Sequence, residues 1–212
     1  MDVSTEQHTL FSKELMEGPR GAGALAVLRE RVIGCNRCGL ASSRKNAVFG
    51  EGEASDPLIM FVGEGPGANE DEMGRPFVGT AGQLLDRMIE AMHLKREQVY
   101  VCNVVCCRPP GNRAPEANEV ASCETYLLGQ VRAIQPKAIV ALGLTAAQAL
   151  LKKRKPLEDL RGKWHKVDGF PTRVTFHPAY LLRPQGRASK PYAWNDLQEV
   201  LKLLDDHVVG RG

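Results

Sequence analysis

Six cysteines, a glycine-rich turn, a polar residue inside an apolar run and a histidine fixed by a proline are the parts of this sequence able to do chemistry. Cys35 and Cys38 form a C-x2-C pair, while Cys107 and Cys123 lie far downstream, with Cys102 and Cys106 also present. A zinc ribbon would offer two close pairs. One close pair plus two separated cysteines leaves both Zn²⁺ and an iron–sulfur cluster open, because four thiolates suit either. Cys106 and Cys107 are neighbours, so at most one of them is expected to be a ligand. The plainer alternative is six buried thiols, since cysteine packs as a small hydrophobe; Cys102 and Cys106 are read that way.

The glycine-rich turn is Gly63-Glu64-Gly65-Pro66-Gly67, followed by Glu70 and Asp71. Three glycines in five residues after an apolar run let a ligand approach the backbone closely, and exposed N–H groups can cradle an anion or a carbonyl oxygen. No Gly-Lys-Ser/Thr follows, which excludes a P-loop. The stretch meets only the looser dinucleotide fingerprint, and Gly74 and Pro76 continue it as a loop where that fingerprint needs a helix. The alternative is a tight surface turn.

His177-Pro178-Ala179-Tyr180-Leu181-Leu182-Arg183 follows another apolar run. It places an imidazole at a strand end, with two leucines then sitting in a loop that ends at an arginine. Leucines exposed beside an arginine suit insertion into a base stack with a phosphate contact nearby; a core histidine with core leucines is the alternative. Asn103 interrupts the apolar run Val-Tyr-Val-Cys-Asn-Val-Val. A buried amide needs partners for its oxygen and its nitrogen, so a structural network and a ligand contact both remain open.

Positioning these groups requires strands and helices. Apolar runs predict four strands, at 58–62, 99–105, 138–142 and 173–176. Helical spacing of apolar residues predicts helices at 22–32, 81–93 with Thr80 as N-cap, about 115–134, 145–151 and 192–206. Residues 63–79 read as one long loop. Alternation of the two element types gives an α/β fold, a three-layer α/β/α sandwich on a central, mostly parallel four-stranded sheet. In such sheets ligands bind beyond the carboxyl ends of the strands, where Glu64, Asn103, Gly143 and His177 stand.

The chain has 212 residues, of which 43% are hydrophobic and 25% charged, which excludes a disordered or collagen-like chain. Residues 1–20 read as a tail and 21–212 as one domain. The longest uncharged stretch, 138–151, is shorter than the roughly 20 residues a bilayer span needs, so no membrane association is expected. The first residues lack a basic region followed by an apolar core, so a cytoplasmic location is expected, and with it thiols rather than disulfides. Net charge is only +3, yet residues 101–193 hold 15 Lys+Arg against 6 Asp+Glu. A basic half on a near-neutral protein suits a polyanion, and a solvated surface is the bland alternative.

In their joint order these motifs resemble the iron–sulfur uracil-DNA glycosylases, family 4 of that superfamily. The resemblance runs from Cys35 to about Leu204. It rests on the cysteine pair, Gly-Glu-Gly-Pro-Gly with Glu70-Asp71, Gly-Arg-Pro-Phe-Val-Gly-Thr-Ala-Gly, Asn103 before Cys-Arg-Pro-Pro-Gly-Asn-Arg-Ala-Pro, Cys123, and the histidine motif. It implies a 4Fe–4S cluster on Cys35, Cys38, Cys107 and Cys123, with Cys107 chosen for its place before Arg108-Pro109-Pro110. It implies a uracil pocket lined by backbone of Gly63, Glu64 and Gly65, with Phe77 stacking on the base and Asn103 and His177 reading its edges. His177 would stabilise the leaving uracil, and Glu64 is the carboxylate expected nearest the reacting centre. Leu181 would fill the emptied base stack, with Arg183, Arg108 and Arg113 on the DNA. A related branch traps DNA through a histidine inserted between the asparagine strand and the last cluster ligand; residues 103–123 contain none. The implied activity is release of uracil from DNA by a monomeric enzyme, the first step of base excision repair. A non-catalytic iron–sulfur protein that binds or senses damaged DNA is the alternative.

Overall fold

A computed structural model describes residues 20–209. Most of the segment read as a tail therefore lies outside the described residues. The elements in chain order are α1 (Ala22–Ile33), β1 (Glu51–Gly52), β2 (Ile59–Gly63), α2 (Ala68–Met73), α3 (Thr80–Ala91) and β3 (Val99–Asn103). There follow α4 (Ala117–Ile134), β4 (Ala138–Leu142), α5 (Leu144–Leu151), α6 (Leu157–Leu160), β5 (Trp164–Val167), β6 (Phe170–Thr175), α7 (Pro178–Leu182) and α8 (Lys190–Val209).

The strands form one sheet in the order β1-β3-β2-β4-β6-β5. The four expected strands are its parallel centre; β1 and β5 add antiparallel edges, so the sheet has six strands rather than four. Every residue of β2, β3 and β4 is buried, as it must be when helices cover both faces of a parallel sheet.

Side chains sort by the two-residue period of a strand. Met60, Val62, Tyr100, Cys102, Ile139 and Ala141 face a core closed by α1, α4 and α5. Ile59, Phe61, Val101, Val140 and Leu142 face the opposite core, closed by α3 and α8. The result is the three-layer α/β/α sandwich.

Three local expectations need correction. The stretch read as loop contains α2, a short polar helix. Thr80 is the first residue of α3, and Gly79 takes the N-cap position. The histidine motif does not continue as an open loop but winds into α7, capped by His177.

Candidate active site and cysteine cradle

The parallel centre of the sheet starts at β2, adds β3 on one side and then β4 on the other. Such a reversal opens a crevice beyond the strand ends. A cleft of about 420 Å³ lies there, and Glu64, Gly65, Phe77, Asn103, Arg113 and His177 are on its wall. Arg183 is at its rim. The Gly63 and Glu64 carbonyls accept the Val104 and Val105 N–H groups at 2.9 and 3.2 Å, which pins the glycine-rich turn to the end of β3.

Asn103 is 4% exposed, and its Oδ1 is buried without a hydrogen-bond partner. Gly63 is required beside it. A Cβ there would stand 2.5 Å from Asn103 Oδ1 and 2.5 Å from Phe77 Cζ. Phe77 is 6% exposed and has φ 53°, a conformation rare for a bulky residue and costing about 1–3 kcal/mol. Its neighbours enforce it. Glu70 Oε1 accepts the N–H groups of Val78 and Gly79 at 2.9 and 2.7 Å, and α3 approaches so closely that a Cβ on Gly82 would meet the Phe77 carbonyl.

His177 lies against Phe77 on the cleft wall, with ring centroids 5.9 Å apart and planes 28° from parallel. Its Nδ1 accepts the Ala179 N–H at 3.1 Å. A neutral imidazole accepting at Nδ1 carries its proton on Nε2. Burial, and next the nearby Arg183 charge, push the His177 pKa down to about 4, against a smaller opposing effect of Glu70. The ring is therefore a neutral donor at pH 7. Gly143 stands behind it with φ 88°, where a Cβ would lie 2.9 Å from His177 Cβ.

The three acidic residues differ in what holds them. Glu70 Oε2 also accepts the Gly67 N–H at 3.1 Å, so both its oxygens serve the backbone. Asp71 is buried and bound to the 45–46 backbone. Glu64 is on the cleft wall and accepts a hydrogen bond from Thr145 Oγ1. Thr145 and Tyr180, also on that wall, had no recognisable signal in the sequence.

The cationic residues are partly committed. Arg113 forms a two-pronged pair with Glu119 at 2.8 and 2.7 Å. Arg108 donates to Asn112 at 2.8 Å, and Asn112 rather than Arg108 reaches the cleft wall. Leu181, expected to stand exposed, is 2% exposed and packs with Phe176 and Ala193. The turn of α7 points it inward, so in this form it is not available to a base stack.

A second, small cavity is lined by Cys35, Cys38, Cys107 and Cys123 together, and by Cys106. Cys102 is buried elsewhere in the core. Among the described residues no three acidic, cysteine or histidine side chains converge tightly enough for a single metal ion. A cubane cluster holds its thiolates at separate corners, and an all-cysteine set is what such clusters take. Two features favour thiolates here. Arg44 Nη1 donates to Cys107 Sγ at 3.0 Å, and the Cys106 thiol bonds to Cys123, drawing the Cys123 pKa down to about 7. Burial, only partly opposed by Arg44, raises that of Cys107 to about 11. The donor set fits an iron–sulfur cluster.

A family model described as the uracil DNA glycosylase superfamily matches residues 49–198. The chain belongs to the uracil-DNA glycosylase superfamily. It is 43% identical over 184 residues to a type-4 uracil-DNA glycosylase of Thermotoga maritima, covering 85% of this chain and 94% of that one. It is 44% identical over 188 residues to a type-4 uracil-DNA glycosylase of Pyrobaculum aerophilum, covering 85% and 92%. A type-5 uracil-DNA glycosylase of the same organism is 35% identical over 109 residues, covering only 44% of this chain. Similarity of the type-4 members extends over most of the chain, so within the superfamily this protein groups with them.

Proposed function

We propose that this protein is a type-4 uracil-DNA glycosylase, which hydrolyses the bond between deoxyribose C1′ and uracil N1 and leaves an abasic site for base excision repair. The observation that carries the reading is the buried Asn103 oxygen without a partner. Leaving such an acceptor unpaired costs about 1–3 kcal/mol. The N3–H of uracil removes that cost, while the amide nitrogen donates to O4. Cytosine presents the reverse pattern, a lone pair at N3 and a donor at N4. A site built on such bonds rejects the mismatched base by roughly 10⁴-fold or more.

To reach Asn103 the base must leave the duplex, at a cost of a few kcal/mol. Phe77 offers the flat face that replaces the lost stacking. Backbone of Glu64 and Gly65 closes the pocket, with Gly63 packed behind Asn103 and Phe77 rather than on the wall, and the pinned turn lets it do so without moving. The exposed arginines Arg113 and Arg183, with Arg108 behind them, supply the positive rim that a phosphate backbone needs.

As the C1′–N1 bond breaks, the sugar becomes cation-like and uracil leaves as an anion. Fixed donors aimed at that charge are usually the largest catalytic contribution. His177 fits that role as a neutral Nε2–H donor toward uracil O2. A neutral donor gives up no proton it would have to regain. Glu64, which takes its hydrogen bond from the Thr145 hydroxyl and not from the backbone, is the carboxylate left to meet the sugar side, where it orients the attacking water and faces the developing positive charge.

Cys35, Cys38, Cys107 and Cys123 would hold a 4Fe–4S cluster. Bound there, it would cross-link the N-terminal pair to the loop carrying Arg108 and Arg113. The test is incubation of the iron-loaded protein with an oligonucleotide containing one deoxyuridine, then alkali and a sizing gel. Strand cleavage at deoxyuridine, and not at cytidine or thymidine, is expected. An intact strand overturns the reading.

A further inference from the structure

The loop after β3 lends residues to both the cysteine cradle and the cleft, and a separate chain of polar contacts joins the cradle to the Phe77 wall. Arg44 begins it. Besides its bond to Cys107, its Nη2 donates to the Ile33 carbonyl at 2.8 Å, two residues before Cys35. The next two residues are clipped to α2. Asp71 Oδ1 accepts the N–H groups of Lys45 and Asn46 at 2.9 and 3.2 Å. Asn46 Nδ2 returns bonds to the carbonyls of Asp71 and Glu72 at 2.8 and 3.1 Å. On the other side of α2, Glu70 holds Val78 and Gly79, the two residues after Phe77.

Helix α2 cannot place itself. It has six residues, too few to be stable alone, and its one buried residue is Asp71. It has no apolar face in either core. Its position must come from the polar bonds on its two sides, one set reaching toward Cys107 and the other toward Phe77. The strained Phe77 backbone needs such support to persist.

We propose that Asp71 is a positioning residue through which the cysteine cradle and the Phe77 wall of the cleft hold each other in place. Arg44 anchors one end and Glu70 the other. Coupling of this kind is reciprocal. Loosening the Arg44 end must loosen residues 78–79, and loosening Asp71 must loosen the cradle. The inference rests on the glycosylase reading only for the identity of the cluster and the base.

Two measurements on the iron-loaded protein test it, and neither uses uracil. Hydrogen exchange reads the amides of Val78 and Gly79, and loss of visible absorbance under excess chelator reads the cradle. Arg44→Gln is expected to speed exchange at 78–79 about tenfold, with the β4 amides unchanged. Asp71→Ala is expected to speed bleaching by a similar factor, and Asp71→Asn, which keeps an acceptor oxygen, to restore both readouts. Asn46→Ala removes half the clip and gives the same result at smaller amplitude if Asp71→Ala does not accumulate. Unchanged exchange at 78–79 in Arg44→Gln, or unchanged bleaching in Asp71→Ala and Asn46→Ala, overturns the proposal. Failure of the wild-type protein on deoxyuridine would remove the glycosylase reading without touching these results.

Discussion

Asn103 and Gly63 stand so close at the ends of β3 and β2 that a single methyl on Gly63 would lie 2.5 Å from the amide oxygen. The two are register partners in the parallel ladder. The sheet therefore aims the carboxamide, and the missing side chain makes room for it. Gly63→Ala is expected to leave the fold intact but overpacked, at a cost of about 1–3 kcal/mol. It should push Asn103 and Phe77 out of place and reduce kcat/KM on deoxyuridine DNA by more than tenfold. Thermal melting beside steady-state kinetics checks both parts.

Asn103→Asp tests readout of the base. The carboxylate keeps an acceptor but loses the NH₂ donor that discriminates O4 from a cytosine amino group. Uracil release should fall, and release of cytosine should rise relative to it. Matched oligonucleotides with one deoxyuridine or one deoxycytidine report the ratio. Cytosine rejection that stays at the wild-type level would separate Asn103 from specificity.

Much of this site could be read from the sequence, and the reasons are local. Strands β2, β3 and β4 are buried on both faces, so they appear as unbroken apolar runs, and the polar Asn103 stands out against one of them. The edge strand β5, Trp-His-Lys-Val, is exposed at two of its four positions and buried at only one. It has no apolar run and passes for a turn. Helix α2 leaves no trace because its only buried residue is an aspartate. Leu181 misled for a different reason. Its sequence neighbours Pro178 and Arg183 suggest an open loop, whereas the α7 turn directs it onto Phe176 and Ala193.

His177→Ala should slow the chemical step by roughly 10²–10³-fold, the usual cost of removing one donor to a developing anion. The ring sits deep in the cleft, so DNA affinity should change little. Single-turnover rates and a binding isotherm on the same oligonucleotide separate the two effects. Equal losses in both would assign His177 to positioning.

The same imidazole sets a pH dependence. It titrates near 4 in the fold, chiefly because it is buried and secondly because Arg183 is close, against about 6.5 when unfolded. Between those values the unfolded chain binds a proton that the fold refuses. The His177 contribution to stability is therefore level above pH 6.5 and falls as pH drops toward 4. Its neutral form, whose Nδ1 accepts the Ala179 N–H and so fixes the ring, persists over the whole interval, so the acid limb of the single-turnover profile assigned to this group should lie near pH 4. Titration of the histidine ring nitrogens by NMR checks the assignment, and Arg183→Gln should move the transition upward.

Cys106 and Cys107 both line the cradle, and the structure distinguishes them by their partners. Cys107 takes a hydrogen bond from the cationic Arg44, which suits a sulfur that is a thiolate when ligated. Cys106 hydrogen-bonds to Cys123, and that bond, with burial second, pushes its pKa up. A thiol that gives its hydrogen bond to a neighbouring cysteine is placed to support that cysteine, while Cys107 has the cationic partner that a ligated thiolate calls for. Cys107→Ala should therefore yield colourless protein with iron and sulfide lost. Cys106→Ala should stay coloured with its iron content unchanged, and lose only the support it gives Cys123, seen as faster bleaching by chelator. Iron and sulfide analysis of the two variants decides between them, and a colourless Cys106→Ala beside a coloured Cys107→Ala would reverse the assignment.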